Sequence, residues 1–326
     1  MHRTFMLALT IISASLLAGG CTVNPATGKR SFTLLTWEQE KQLGAESAFS
    51  MGEQFGGDVP SAELQAYTDR VGMDMVAHIE EGVPELEWEF SLLNSPVINA
   101  FALPGGKVFI TRGLCEQMSN EAQFAAVIGH EIGHVTARHG NQRISQQSGV
   151  EVVLAALGFA IGAADEESTL KKYGSYGLPV LQIGGQYALL GYSRGQEIEA
   201  DMLGVRYMSK AGYDPLGARQ VQEILLGAAG STRPSLIEGL QATHPYPQDR
   251  IDAIDRLLAG EYKQFRDSQA TSLYADRWER SFMPRLRRLP AAPVPDPVSM
   301  REGRGMILAA QSWCAHCAAA ATHKGQ

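Results

Sequence analysis

The feature that most constrains the fold of this chain is HEIGH, residues 130–134, within the segment FAAVIGHEIGHVTARHG. On a helix, His130 and His134 share one face about 6 Å apart along the axis, so both imidazoles can point at one metal ion. Glu131 lies about 100° around the helix and can reach a water beside that ion. The pattern predicts two metal ligands and a catalytic base, and the alternative is an ordinary amphipathic helix that carries two histidines.

A catalytic zinc takes three protein ligands and keeps a fourth position for water. The HEIGH segment does not supply the third ligand, because the residue ten positions after His130 is Gly140. His139 would point roughly 140° away from His134 on a continuous helix, so we expect it to be a surface histidine. A second helix must therefore provide the missing ligand.

The segment SRGQEIEAD, residues 193–201, offers three carboxylates. Glu197 and Asp201 are four residues apart and share a helix face, whereas Glu199 lies about 200° away from Glu197. We predict that Glu197 is the third ligand and that Asp201 accepts an N–H from a ligating histidine. By itself the segment would also fit a charged, solvent-exposed helix face.

Three motifs, HEIGH, SRGQEIEAD and THPYPQDR (residues 243–250), resemble the zinc metallopeptidase family of HtpX, the CAAX prenyl endopeptidases and BepA. NPATGKR, NAFALPGG and AGYDP extend the resemblance from about Asn24 to Leu258. It implies an α+β, mostly helical gluzincin-like domain with a small antiparallel hairpin beside the HExxH helix. It also implies one zinc ion per chain, with the following site residues: His130, His134 and Glu197 as ligands, Glu131 as base and Asp201 as outer support. Apolar segments are few and we expect no helical repeat domain, so the chain resembles the short lipoproteins of the family.

In such a site zinc acidifies its bound water, Glu131 removes the proton, and the proton passes to the leaving amine. The oxyanion needs a further donor, for which we predict His244 and Arg250, the alternative being a capping turn with a surface arginine. His244 could also block the fourth zinc position at rest. Substrate is expected to pair as an extended strand along residues 101–103 or 108–110, unless the hairpin is merely structural.

Residues 1–20 have the pattern of a secretory signal, with Arg3, a short apolar stretch and small residues before Cys21. LLAGGC resembles a bacterial lipoprotein signal, which implies a lipidated Cys21 and attachment to outer-membrane lipid on the periplasmic side. A soluble periplasmic protein is the alternative. We predict that residues 21–36 form an anchor and linker.

The predicted zinc metallopeptidase domain covers residues 37–262, and a proline-containing, loosely ordered tail covers residues 263–326. The tail contains WCAHC, which is similar to a thioredoxin-type motif, and Cys314 and Cys317 could form a disulfide. Only nine residues follow Cys317. We therefore expect no redox function, because the rest of such a domain is missing.

Capping residues and hydrophobic spacing predict the local structure. Thr36 and Gln39 form a capping box, and Asn120 and Ser193 start two later helices. The predicted helices cover residues 37–51, 61–78, 120–145, 152–164, 193–212 and 216–260, the last of them interrupted at THPYPQDR. Residues 87–95 are predicted as a strand, residues 99–113 as a hairpin and residues 165–186 as a loop.

The net charge of -7 argues against a partner bound through bulk basic charge, so we expect no nucleic-acid partner. Together the motifs predict a zinc endopeptidase that cleaves unfolded or misassembled envelope proteins. The alternative is a zinc-stabilised, chaperone-like module that assists outer-membrane protein assembly without proteolysis. The sequence does not determine the oligomeric state.

Overall fold

A computed structural model describes residues 21–146, 191–231, 234–245, 247–265 and 268–292. The helices are α1 Trp37–Gln54, α2 Ala62–Val76, α3 Arg112–Cys115, α4 Glu121–Thr136, α5 Arg194–Lys210, α6 Leu216–Ser231, α7 Pro234–Thr243, α8 Pro247–Ala259, α9 Ala275–Arg277 and α10 Met283–Arg288. A π-helical segment, Trp278–Phe282, joins α9 to α10. The strands are β1 Cys21–Val23, β2 Arg30–Phe32, β3 Glu89–Leu93, β4 Ala100–Leu103 and β5 Lys107–Thr111.

The predicted helix caps are confirmed. Thr36 and Ser193 each form a reciprocal capping box at the starts of α1 and α5. The Asn120 side chain accepts the Gln123 N–H at 3.0 Å at the start of α4. Gly212 follows α5 with φ +87°, a conformation that ends a helix and that glycine adopts at no steric cost. Local sequence signals therefore place these helix ends.

The main sheet has the strand order β3-β5-β4, with β4 and β5 antiparallel and β3 parallel to β5. Alternate residues of β4 face opposite sides: Phe101 packs with Met51 of α1, whereas Ala100 and Ala102 belong to the main core with α4. An α+β fold with a small hairpin beside the HExxH helix is confirmed. Because β5 is the central strand, Val108–Ile110 has no free edge, and the prediction of substrate pairing there is wrong.

Helices α4 and α5 approach closely where they carry glycines. A Cβ on Gly133 would lie 2.7 Å from the Ala200 carbonyl oxygen, and one on Gly204 would lie 2.8 Å from the His130 backbone nitrogen. Without a Cβ at these positions the two backbones can touch. The close approach brings Glu197, near the start of α5, within reach of the histidines on α4.

Replacing Gly133 by Ala is expected to lower the free energy of unfolding by about 1–3 kcal/mol, because the added methyl meets backbone atoms and must separate the helices. The matched control is Gly195→Ala in α5, where an added Cβ meets no atom within 4 Å. That control should be neutral or slightly stabilising, since alanine favours a helix. Denaturant unfolding measures both variants, and equal stability for Gly133→Ala and the native protein would contradict close packing.

Helix α4 ends at Thr136 instead of continuing to residue 145 as the sequence predicts. Arg138 adopts φ 59°, and a separate helical stretch occupies residues 139–146. The Arg138 guanidinium is buried, with Nη2 2.7 Å from Glu40 Oε1 of α1. This long-range ion pair stabilises the turn, and the prediction of one continuous helix is wrong.

Residues 21–36 pack against the end of α4. The Asn24 Nδ2 donates to the Thr136 carbonyl oxygen at 2.9 Å, and the Leu34 N–H donates to Ser145 Oγ at 2.7 Å. The segment predicted as an anchor and linker is therefore hydrogen-bonded to the helix that carries the histidines and to the stretch that follows it.

Residues 268–292 also pack onto the core. Trp278 is fully buried, with its ring centroid 4.1 Å from that of Phe282 and 5.4 Å from that of Phe124 on α4. Its Nε1 donates to the Met118 carbonyl oxygen at 3.2 Å. The prediction of a loosely ordered tail is wrong for this part, since the prolines exclude one long helix and still permit short ones.

Four predictions lie outside the described residues: the signal segment 1–20, the apolar helix 152–164, the loop 165–186 and the motif with Cys314 and Cys317. Within the part of the chain that the structure describes, no helix has the length and apolar character needed to cross a membrane.

Candidate metal centre

Helix α4 presents His130 and His134 on one buried face, with 6% and 2% of their surfaces exposed. Their Nε2 atoms lie 3.0 Å apart. Two neutral ring nitrogens at this distance need a proton or a cation between them. The two histidines, spaced four residues apart along the helix, therefore converge as the sequence predicts.

Helix α5 directs Glu197 at the same point. Its Oε1 lies 3.4 Å from His134 Nε2, and its Oε2 lies 3.6 Å from His130 Nε2. Tetrahedral zinc with bonds of about 2.0–2.1 Å places its ligand atoms about 3.3 Å apart. Two imidazoles and one carboxylate are a usual zinc donor set, and these three side chains fit the ion in both chemistry and spacing.

His244, which follows α7, occupies the remaining side of the cluster. Its Nδ1 lies 3.3 Å from His130 Nε2 and 3.2 Å from Glu197 Oε1. One donor atom from each of His130, His134, Glu197 and His244 lies within 4.8 Å of the others. The structure therefore brings His244 into the same cluster as His130, His134 and Glu197.

Glu131 lies beside the cluster. Its Oε1 is 3.7 Å from His244 Nε2, and its Oε2 is buried without a hydrogen-bond partner among the described residues. Burial raises the pKa of Glu131. A cavity of about 30 Å³ lined in part by Glu131, Val127 and His130 is large enough for one water molecule. An uncommitted carboxylate at this point can take up a proton.

Asp201 and Arg250 form the base of the site. Asp201 Oδ1 lies 2.8 Å from His130 Nδ1, and Arg250 donates Nε and Nη2 to the two Asp201 oxygens at 2.7 Å each. Arg250 Nη1 is 2.8 Å from Glu197 Oε2. The sequence predicts the contact between Asp201 and a histidine, but it does not predict that Arg250 binds both carboxylates.

These contacts set the pKa values of the buried groups. Burial would raise the pKa of Glu197, but His244 and Arg250 lower it well below its usual range. Burial also opposes ionisation of Asp201, and Arg250 outweighs it, so the pKa of Asp201 is lowered. Burial and the adjacent His130 lower the pKa of His134 far below its usual value. The site therefore presents charged carboxylates and a neutral His134, as a cation requires.

Two neighbours of His134 are not predicted from the sequence. His139 is fully buried, and its Nδ1 lies 2.9 Å from His134 Nδ1, so the prediction of a surface histidine is wrong. The turn at Arg138 rotates His139 back towards His134, whereas a continuous helix would turn it away. Tyr192 stacks on His134 with ring centroids 3.8 Å apart. No local sequence signal specifies either contact.

An HExxH helix that shares a buried cluster with a carboxylate from a second helix defines the class of HExxH metallopeptidases. The model of Peptidase family M48 matches residues 62–258, which include HEIGH, Glu197 and His244. The chain therefore belongs to peptidase family M48, and the resemblance seen in its motifs is confirmed.

Relatives of the chain come from bacteria and from mitochondria. It is 30% identical over 236 residues to the mitochondrial metalloendopeptidase OMA1 of Schizosaccharomyces pombe, covering 72% of this chain and 65% of that protein. It is 31% identical over 261 residues to the Beta-barrel assembly-enhancing protease of Escherichia coli (strain K12), covering 78% and 51%. Human OMA1 is 27% identical over 252 residues, covering 72% and 45%. The chain thus spans about half to two thirds of the length of these curated relatives.

Proposed function

We propose that this protein is a zinc-dependent endopeptidase of the bacterial cell envelope that hydrolyses unfolded or misassembled envelope proteins. The observation that carries the proposal is the convergence of His130, His134 and Glu197 at spacings that suit zinc. Beside them lies Glu131, whose Oε2 has no hydrogen-bond partner among the described residues. Membership of a peptidase family supports hydrolysis as the reaction.

In this proposal His130, His134 and Glu197 hold one zinc ion per chain. The bound ion would supply an acidified water and polarise the peptide carbonyl. Glu131 accepts the proton of the attacking water and delivers it to the leaving amine, a role that its raised pKa suits. Asp201 accepts the Nδ1–H of His130 and so fixes the tautomer that leaves Nε2 free for the ion.

His244 has two roles in this proposal. At rest it lies against the three proposed ligands, where it would exclude water and substrate from a bound ion. In the resting position burial would lower its pKa, but the carboxylates of Glu197 and Glu131 raise it. Once displaced, a protonated ring nitrogen could donate a hydrogen bond to the oxyanion. Arg250 already binds Glu197 and Asp201, and it would act on the oxyanion chiefly through its charge.

We propose that the substrate pairs with β4, Ala100–Leu103, in an extended conformation. In the described sheet β4 is an edge strand, and it packs beside α4. Backbone pairing of this kind accepts many side chains, which suits an enzyme acting on unfolded chains.

The envelope location rests on the signal-like residues 1–20 and on lipidation of Cys21, both of which remain proposals. The bacterial relative is a Beta-barrel assembly-enhancing protease, which supports an envelope role, although the OMA1 relatives are mitochondrial. Globomycin, which blocks lipoprotein signal cleavage, should make the full-length chain accumulate, and Cys21→Ser should end radiolabelled palmitate incorporation.

The function is tested by metal analysis of the purified protein and by digestion of unfolded casein. We expect about one zinc per chain, loss of digestion after chelation and its return on adding zinc. Casein digestion by the fully metal-depleted protein would contradict the proposal. In the same assay, His244→Ala tests the blocking role. An unchanged basal rate together with unchanged zinc coordination would contradict that role.

A further inference from the structure

A chain of buried contacts runs outward from His134. Its Nδ1 lies 2.9 Å from His139 Nδ1, and His139 Nε2 lies 3.1 Å from Glu199 Oε2. His139 is fully buried, and the Glu199 side chain is 17% exposed. Lys29 of the segment between β1 and β2 reaches the other oxygen of Glu199 at 2.6 Å. The three groups after His134 come from three separate segments of the chain.

Only one placement of protons satisfies every group in this series of contacts when His134 Nε2 holds a metal. His134 then carries its proton on Nδ1 and donates it to His139 Nδ1, which must be bare. A neutral His139 therefore has its proton on Nε2, where it faces a carboxylate oxygen of Glu199. Oε2 of that carboxylate accepts the His139 N–H, and Oε1 pairs with the Lys29 ammonium.

Helix α5 thus supports both histidines of the HExxH helix. Asp201 contacts His130 directly at 2.8 Å. Glu199 lies on another face of α5 and does not reach His134 itself, so His139 bridges the gap. The left-handed turn at Arg138 is what brings His139 into that position.

We propose that His139 and Glu199 are positioning residues that hold His134 in the tautomer and orientation needed for the metal. The inference rests on the proposed function, because it requires zinc at His134 Nε2. Groups that orient a ligating histidine typically contribute 10–100-fold to metal affinity. The contribution of Lys29 should be smaller, since its side chain is 73% exposed and water weakens the ion pair.

The test measures the zinc dissociation constant of the purified full-length protein by competition with a chromophoric chelator. His139→Leu removes both hydrogen bonds at similar volume and should weaken zinc binding roughly 10–100-fold. His139→Gln can accept from His134 and donate to Glu199, so it should recover more than half of that loss on a logarithmic scale. His78→Leu is the matched control at a histidine just after α2, and it should bind zinc as the native protein does.

A His139→Leu variant that binds zinc as tightly as the native protein overturns the inference. If that variant does not fold, judged by its circular dichroism without metal, His139→Gln and Glu199→Gln decide the question. A larger affinity loss for Glu199→Gln than for His139→Gln supports the inference, and any other pattern overturns it. Absence of zinc binding by the native protein would instead refute the proposed function.

Discussion

Replacing Glu131 by Gln is expected to lower the rate of casein hydrolysis by roughly 10²–10⁴-fold, the usual contribution of a general acid–base group. Zinc content should stay near that of the native protein. The amide has the shape of the carboxylate, but it can neither accept the proton of the attacking water nor deliver one to the leaving amine.

The structure gives two reasons for this separation of activity from metal binding. Glu131 points beside the cluster, and its Oε1 approaches His244 Nε2 at 3.7 Å. Its Oε2 has no hydrogen-bond partner among the described residues, so the substitution breaks no bond of that atom. The proposed ligands His130, His134 and Glu197 are held by other side chains, and the amide leaves those contacts in place.

Glu223→Gln on α6 serves as the control, because it removes the same charge from a side chain that is 51% exposed. This control should digest casein at the native rate. The Glu131→Gln result also separates the two predicted functions. If the variant remains as effective as the native protein in cells that depend on it, a zinc-stabilised assembly module is the better description. A variant that still cleaves casein at the native rate would remove Glu131 from the mechanism.

The parts of the fold that the sequence predicts are those that short-range chemistry determines. The capping box of Thr36 and Gln39, the stop at Gly212 and the hairpin turn at Pro104 and Gly105 each depend on a few neighbouring residues. The convergence of two histidines on one helix face follows from helical geometry alone. Glu197 is predicted because it is a suitable carboxylate at the right place in a second helix.

The parts that the sequence does not predict depend on contacts between distant segments. Arg138 ends α4 because it binds Glu40, which lies 98 positions away. Trp278 holds residues 268–292 against the core because it packs on Phe124, which no periodicity reveals. From the sequence, Arg250 is predicted to be an oxyanion donor or a surface arginine. Its contacts with Asp201 and Glu197 depend on the packing of α8 against α5. Burial of His139 follows from the turn at Arg138 and could not be inferred without it.

A second large effect is expected at Glu197. Glu197→Gln should weaken zinc binding by at least about 100-fold, which is more than the loss expected when a residue that only orients a ligand is replaced. It should also abolish casein digestion at stoichiometric zinc. The amide is neutral and a poorer zinc ligand than a carboxylate. Because the pKa of Glu197 is well below its usual range, the native side chain is charged even in mildly acidic solution and releases no proton when the ion binds.

Glu197→Asp refines the test, since it keeps the charge and withdraws the carboxylate by one methylene. Because a Cβ on Gly133 would already meet the Ala200 carbonyl at 2.7 Å, α4 and α5 cannot move much closer to restore the contact. We expect Glu197→Asp to bind zinc with intermediate affinity. Glu223→Gln again controls for loss of charge, and unfolding of the metal-free variants by denaturant controls for loss of structure.

Measurement of zinc affinity in these variants also decides between two candidate third ligands, because His244 Nδ1 lies 3.3 Å from His130 Nε2 and belongs to the same cluster. If Glu197 is the ligand, Glu197→Gln loses zinc and His244→Ala keeps most of it. The reverse pattern would make the site a three-histidine centre with Glu197 as an outer anion. Glu197 lies close to Nε2 of both His130 and His134, and its helix α5 packs backbone to backbone against α4. His244 instead stands just after the end of α7. The firmer support of Glu197 favours it as the third ligand.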